Sequence, residues 1–98
     1  MKIFDKAQWH IDSGENSSSI IKKFSAIFEF LNEEGLLSVD GIEILDLGID
    51  SSISLNEQMV TEKGFKFLEK YYDEVINDDC DEIVYELRKY YCLFVKGK

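Results

Sequence analysis

Between Asn16 and Gly35 the apolar residues Ile20, Ile21, Phe24, Ile27, Phe28 and Leu31 recur at three- and four-residue spacing, which gathers them on one face of an α-helix. A strand would split the same set between its two faces. Such a stripe must be covered by other apolar surface, so the rest of the chain has to supply partners for a long amphipathic helix. The helix starts within Asn16 to Ser19, where amide and hydroxyl side chains can accept from the first free N–H groups, and stops at Gly35.

The remaining sequence supplies such partners. Leu37-Ser38-Val39-Asp40-Gly41-Ile42 and Val60-Thr61-Glu62-Lys63-Gly64-Phe65 share one pattern of apolar residue, hydroxyl cap, two residues, glycine and apolar residue. Each reads as a stapled helix start. Glycine inside a first helical turn weakens it, which points to a close approach of another backbone. The helix after Ser38 carries Ile42, Leu45 and Ile49; the helix after Thr61 carries Phe65, Leu68, Tyr71, Tyr72, Val75 and Ile76. Gly48 to Met59 reads as loop with a short turn. A last helix begins near Asp79, with Glu82 completing a capping box, and runs through Ile83, Val84, Leu87, Tyr90, Tyr91 and Phe94.

At the amino end, Asp5 is placed to cap Lys6-Ala7-Gln8, with Gln8 returning the bond, Phe4 stapled onto Trp9, and Gly14 as the stop. Met1 to Phe4 reads as a brief extended lead, with a true sheet as the less favoured alternative. The expectation is an all-α fold, a compact bundle of about five helices, in a single acidic domain over residues 1–98. Phe30 and Phe67 lie off the main stripes and are expected at the surface.

Acidic residues number 20 against 11 Lys and Arg, for a net charge of −9, and the imbalance is patterned. From Phe24 to Glu62 there is no Lys or Arg, and a second basic-free run extends from Tyr71 to Leu87. Segregated acid repels nucleic acid and speeds association with basic surfaces. On the third helix Glu43, Asp46 and Asp50 fall together, and with Ile42, Ile44, Leu45, Leu47 and Ile49 on the same segment the helix is expected to be largely covered, showing solvent a narrow acidic ribbon. Asp78, Asp79, Asp81 and Glu82 form a second cluster at a helix start, where negative charge complements the helix dipole. In Tyr71-Tyr72 and Tyr90-Tyr91 one ring of each pair lies on the apolar stripe and its neighbour points toward the rim.

Catalytic constellations are not evident. His10 is the single histidine, and no phosphate-binding glycine loop, nucleophile elbow or metalloprotease pair occurs. Asp12 to Asn16 begins like a calcium loop, but Ser17 stands where glycine is needed and Lys23 where the bidentate glutamate belongs. Cys80 and Cys92 fall twelve residues apart on one helix, about 18 Å, and so are expected as unpaired thiols. Neither a metal nor a cofactor is expected. No leader or membrane-spanning run is legible, which leads to the expectation of a cytoplasmic protein.

Lys2-Ile3-Phe4-Asp5-Lys6-Ala7-Gln8-Trp9-His10-Ile11-Asp12, then Gly14-Glu15, Gly35-Leu36-Leu37-Ser38, Gly48-Ile49-Asp50-Ser51-Ser52 and Ser54-Leu55, resemble a group of small uncharacterised bacterial proteins. In size and acidity that group is similar to immunity proteins of polymorphic toxin and contact-dependent inhibition systems. The resemblance implies a protein that neutralises a cognate toxin, often a basic nuclease, by covering its active site or a nearby surface. Glu43, Asp46, Asp50 and the cluster Asp78, Asp79, Asp81 and Glu82 are the candidates for contacting such a basic partner, with Tyr72 as an anchor. Two other readings stay open: a small carboxylate-based or metal-dependent enzyme, and a regulatory adaptor domain.

Overall fold

The computed structural model describes residues 1–76 and 80–97, with the backbone alone at Cys80 and Asp81. Along the chain lie β1 (Ile3–Lys6), α1 (Ala7–Asp12), α2 (Ser17–Glu33), α3 (Val39–Leu47), β2 (Ser54–Asn56), a 3-10 turn (Glu57–Met59), α4 (Glu62–Val75) and α5 (Cys80–Lys96). The fold is a predominantly helical bundle of five helices with one small two-stranded sheet.

The helix of the opening argument forms as its pattern predicts. The Asn16 side chain accepts from the Ser19 amide, and α2 closes at Gly35, whose φ of +70° suits a residue without a Cβ. Ile20, Phe24, Ile27, Phe28 and Leu31 are all buried. Along this face α2 packs against α5, with α1 and α3 also touching it, while α4 covers another side of α5.

Phe30 and Phe67 correct the expectation of surface aromatics, since they are 2% and 0% exposed. They meet Tyr91 edge-on, and Phe94 and Tyr71 close the group around Phe67. The α2 stripe is therefore wider than the primary face, and the rings beyond its edge are what bind α4 to α5.

The two hydroxyl-capped starts meet each other. Ser38 Oγ accepts from the Gly41 amide and Thr61 Oγ1 from the Gly64 amide. Leu37 and Val60 form an antiparallel bridge, flanked by Ser38 N–H to the Met59 carbonyl and Thr61 N–H to the Leu36 carbonyl. The result is a local two-fold crossing in which each glycine faces the other segment. A Cβ on Gly64 would lie 2.6 Å from the Leu36 carbonyl oxygen, and one on Gly41 would overlap the Met59 carbonyl oxygen. The close backbone approach expected of these glycines is thus what the structure contains.

The amino end departs from its reading. The extended lead pairs antiparallel with β2, inside the segment read as loop, matching Ile3 to Asn56, Asp5 to Leu55 and Lys6 to Ser54. Phe4 is left over as a bulge. A bulge breaks the alternation of faces, so Phe4 and Asp5 both turn toward α4. Lys6, not Asp5, occupies the cap position of α1, and it makes no side-chain cap. Gln8 bonds to Asp12. Phe4 packs on Phe65 and Tyr72 while Trp9 stays half-exposed, so the expected staple between Phe4 and Trp9 does not form.

Candidate functional site

Helix α3 carries the site, and its geometry follows from Gly41. That residue is the one buried position of the helix, seated against Met59, and Ile44 and Leu45 are half-covered beside it. Everything else on α3 faces out. At about 100° per residue the outer positions run Ile42, Asp46, Val39, Glu43, Leu47, Asp40 around the helix, so aliphatic and carboxylate groups alternate. Val39 is 81% and Leu47 78% exposed. The expectation of a largely covered helix is therefore corrected. A close glycine contact seats the helix on a narrow strip, and a narrow strip cannot hide five aliphatic side chains.

Glu43 and Asp46 lie on this outer face as expected, joined by Asp40. Asp50 does not share it through helical spacing, because α3 ends at Leu47 and Gly48 (φ +106°) turns the chain away. Asp50 instead folds onto its own turn, where the Ser52 amide and hydroxyl donate to Oδ1 at 2.9 and 2.5 Å. Those two bonds hold its carboxyl below the ordinary aspartate range. Among the described residues none of the ion pairs involves Asp40, Glu43, Asp46 or Asp50. Other acids of the same run are partnered: Glu33 with Arg88, Glu57 with the amino terminus and Glu62 with Lys66.

The second candidate cluster is only partly visible. Asp78 and Asp79 lie outside the described residues, as does the Asp81 side chain, and with them the expected start of α5 near Asp79. Glu82 is exposed on the first turn of α5. Tyr72 is corrected outright as an anchor, since it is 4% exposed and presents almost nothing to a partner.

Tyr72 belongs instead to a buried polar chain that the sequence reading did not assemble. Its hydroxyl donates to Asp5 Oδ2 at 2.7 Å. The same carboxylate sits 2.7 Å from His10 Nε2, and His10 Nδ1 lies 2.8 Å from Glu15 Oε2. A carboxylate only accepts, so the contacts to Asp5 and Glu15 are both made by donors when the ring is protonated, and they favour the imidazolium form of His10. Burial alone would lower its pKa, but the hydrogen bonds to Asp5 and Glu15, aided by their charges, outweigh burial and raise it. Burial, then the Asp5 charge and hydrogen bond, push the Tyr72 phenol well above its ordinary value and keep it a neutral donor. The chain is closed to solvent at Tyr72 and Asp5 and open at Glu15, whose side chain is about half exposed. It clamps β1, α1 and α4 together.

Two further features bear on chemistry. Glu57 and Glu62 line one cleft of about 270 Å³, but Glu57 accepts from the Lys2 amide at 2.5 Å and Glu62 pairs with Lys66 at 3.4 Å, so they are not poised as an acid–base pair. Among the described residues no three His, Cys, Asp or Glu side chains gather to hold a metal. Nor is any helix there long and apolar enough to cross a membrane. Compared with known proteins, the chain matches no family model, no curated protein and no solved structure.

The exposure of Val39 and Leu47 has a signal in the sequence. Both follow from treating Gly41, Ile44 and Leu45 as one face, which the glycine contact selects.

Proposed function

We propose that this chain is a protein-binding module whose outer α3 face docks on a basic protein surface. The observation that carries the reading is the alternation of Val39, Ile42 and Leu47, exposed, with Asp40, Glu43 and Asp46, which form no ion pair among the described residues. Aliphatic groups in water have no stabilising neighbour until something covers them. Carboxylates around them exclude an acidic or purely apolar partner and favour Lys and Arg at the rim.

The resemblance to immunity proteins gives this partner its most specific form: a basic toxin domain met in the cytoplasm, whose phosphate-gripping residues the carboxylates would occupy. A net charge of −9 opposes direct contact with nucleic acid.

A photo-crosslinking residue at position 47 tests the reading in the native cell, where it should capture a basic protein. That protein, once purified, should associate with the wild type at a rate that falls steeply between about 50 and 500 mM salt. The variant carrying Asp40→Asn, Glu43→Gln and Asp46→Asn should associate about tenfold more slowly or worse, with little salt dependence left. A rate indifferent to salt, or to the three substitutions, would sink the proposal.

A further inference from the structure

At the carboxyl end of α3 the surface dips into a cleft of about 350 Å³. Ile44, Leu47, Ile53 and Met59 form apolar walls, and Asp50 and Ser52 stand on one side. Three features converge on a cation there. The first is the Asp50 carboxylate: its Oδ1 is taken by the two Ser52 donors, and no donor among the described residues is recorded on its Oδ2. The second is the end of α3, where the last carbonyls carry the negative pole of the helix and no basic residue stands in the final turn. The third is the lining itself, which contains no Lys or Arg.

The apolar walls narrow the choice of cation. A bare metal ion gains nothing from Ile44, Leu47, Ile53 and Met59, whereas a charged head on an aliphatic stem is served by both parts of the cleft. Arginine fits better than lysine. Its planar fork of donors matches a carboxylate, and a guanidinium is more weakly hydrated than an ammonium.

We propose that this cleft receives one arginine side chain of the protein partner, stem against the apolar walls and guanidinium on Asp50. The inference rests on the docking reading, since Leu47 belongs to both surfaces. An arginine seated there would fix the partner's register along α3, which a diffuse acidic face does not do.

The cleft can be probed without the partner. N-acetyl-arginine-amide, titrated to about 50 mM, should cause saturable NMR shifts at Gly48, Ser52 and Ile53. N-acetyl-lysine-amide should bind more weakly, and N-acetyl-norleucine-amide should not shift these signals. Asp50→Asn keeps the turn onto Ser52 and removes the charge, so it should weaken arginine binding about tenfold. Absence of saturable shifts, equal response to norleucine, preference for lysine, or an unaltered Asp50→Asn titration would each overturn the assignment. These outcomes are separable from failure of the docking reading, which is decided by the Asp40, Glu43 and Asp46 substitutions against the whole partner.

Discussion

Asp5 accepts from the Tyr72 hydroxyl, the His10 ring and the Lys6 amide, so one buried carboxylate ties three stretches of chain to each other. Leaving a buried acceptor short of donors costs more than the bond is worth net, and Tyr72→Phe should destabilise the fold by about 1–3 kcal/mol in urea melts. His10 makes the clamp pH-dependent. Its folded pKa lies above the ordinary 6.5, so the stabilisation is complete below about pH 6.5 and disappears as pH rises through the raised folded value. The stability gap between wild type and His10→Gln should accordingly shrink as pH rises above about 6.5. A gap that widens with pH would mean the ring is neutral in the folded chain.

At the scale of elements, the crossing of Leu36–Ser38 with Met59–Thr61 determines how α3 and α4 begin. Alanine in place of glycine inside a helix usually gains about 1 kcal/mol. Here the sign should reverse: Gly64→Ala and Gly41→Ala force a Cβ onto a backbone carbonyl and should each lose about 2 kcal/mol or more, measured by chemical denaturation. The end of α4 has a different device. Lys23 of α2, 7% exposed, donates to the Ile76 carbonyl, so a cation from another helix serves this terminus. Lys23→Met keeps the stem and removes the donor, and should lower stability by about 1–3 kcal/mol.

These elements also show what local sequence could reveal. The caps at Asn16, Ser38 and Thr61 and the role of the two glycines were legible, because a hydroxyl or amide before an apolar period has few other uses. The β1 pairing was not, because its partner lies some fifty residues away and neither strand alternates cleanly. Asp5 had the local signature of a cap, and a distant tyrosine and histidine outcompeted it. The role of Lys23 was not legible either, since only the tertiary position of Ile76 gives it a partner. For the site, Glu43 and Asp46 could be read from charge, whereas Val39, Leu47 and the cleft at Asp50 depend on which side of α3 is seated.

Over the whole molecule, the acids of α3 stand apart from the ion pairs that engage Glu33, Glu57 and Glu62. Asp46 near the negative pole of α3, without an ion pair among the described residues, opposes the helix it belongs to. Asp46→Asn should therefore raise the melting midpoint by about 2 °C at low salt, with the gain fading as salt is added. A loss of stability in that variant would show that the carboxylate has a structural partner. The two-fold crossing adds a mechanical corollary. Since the start of α3 is hydrogen-bonded to the segment that launches α4, and α4 carries Phe67 into the aromatic group with Tyr91 and Phe94, a load placed on α3 would pass through the crossing into that group and not end at the surface.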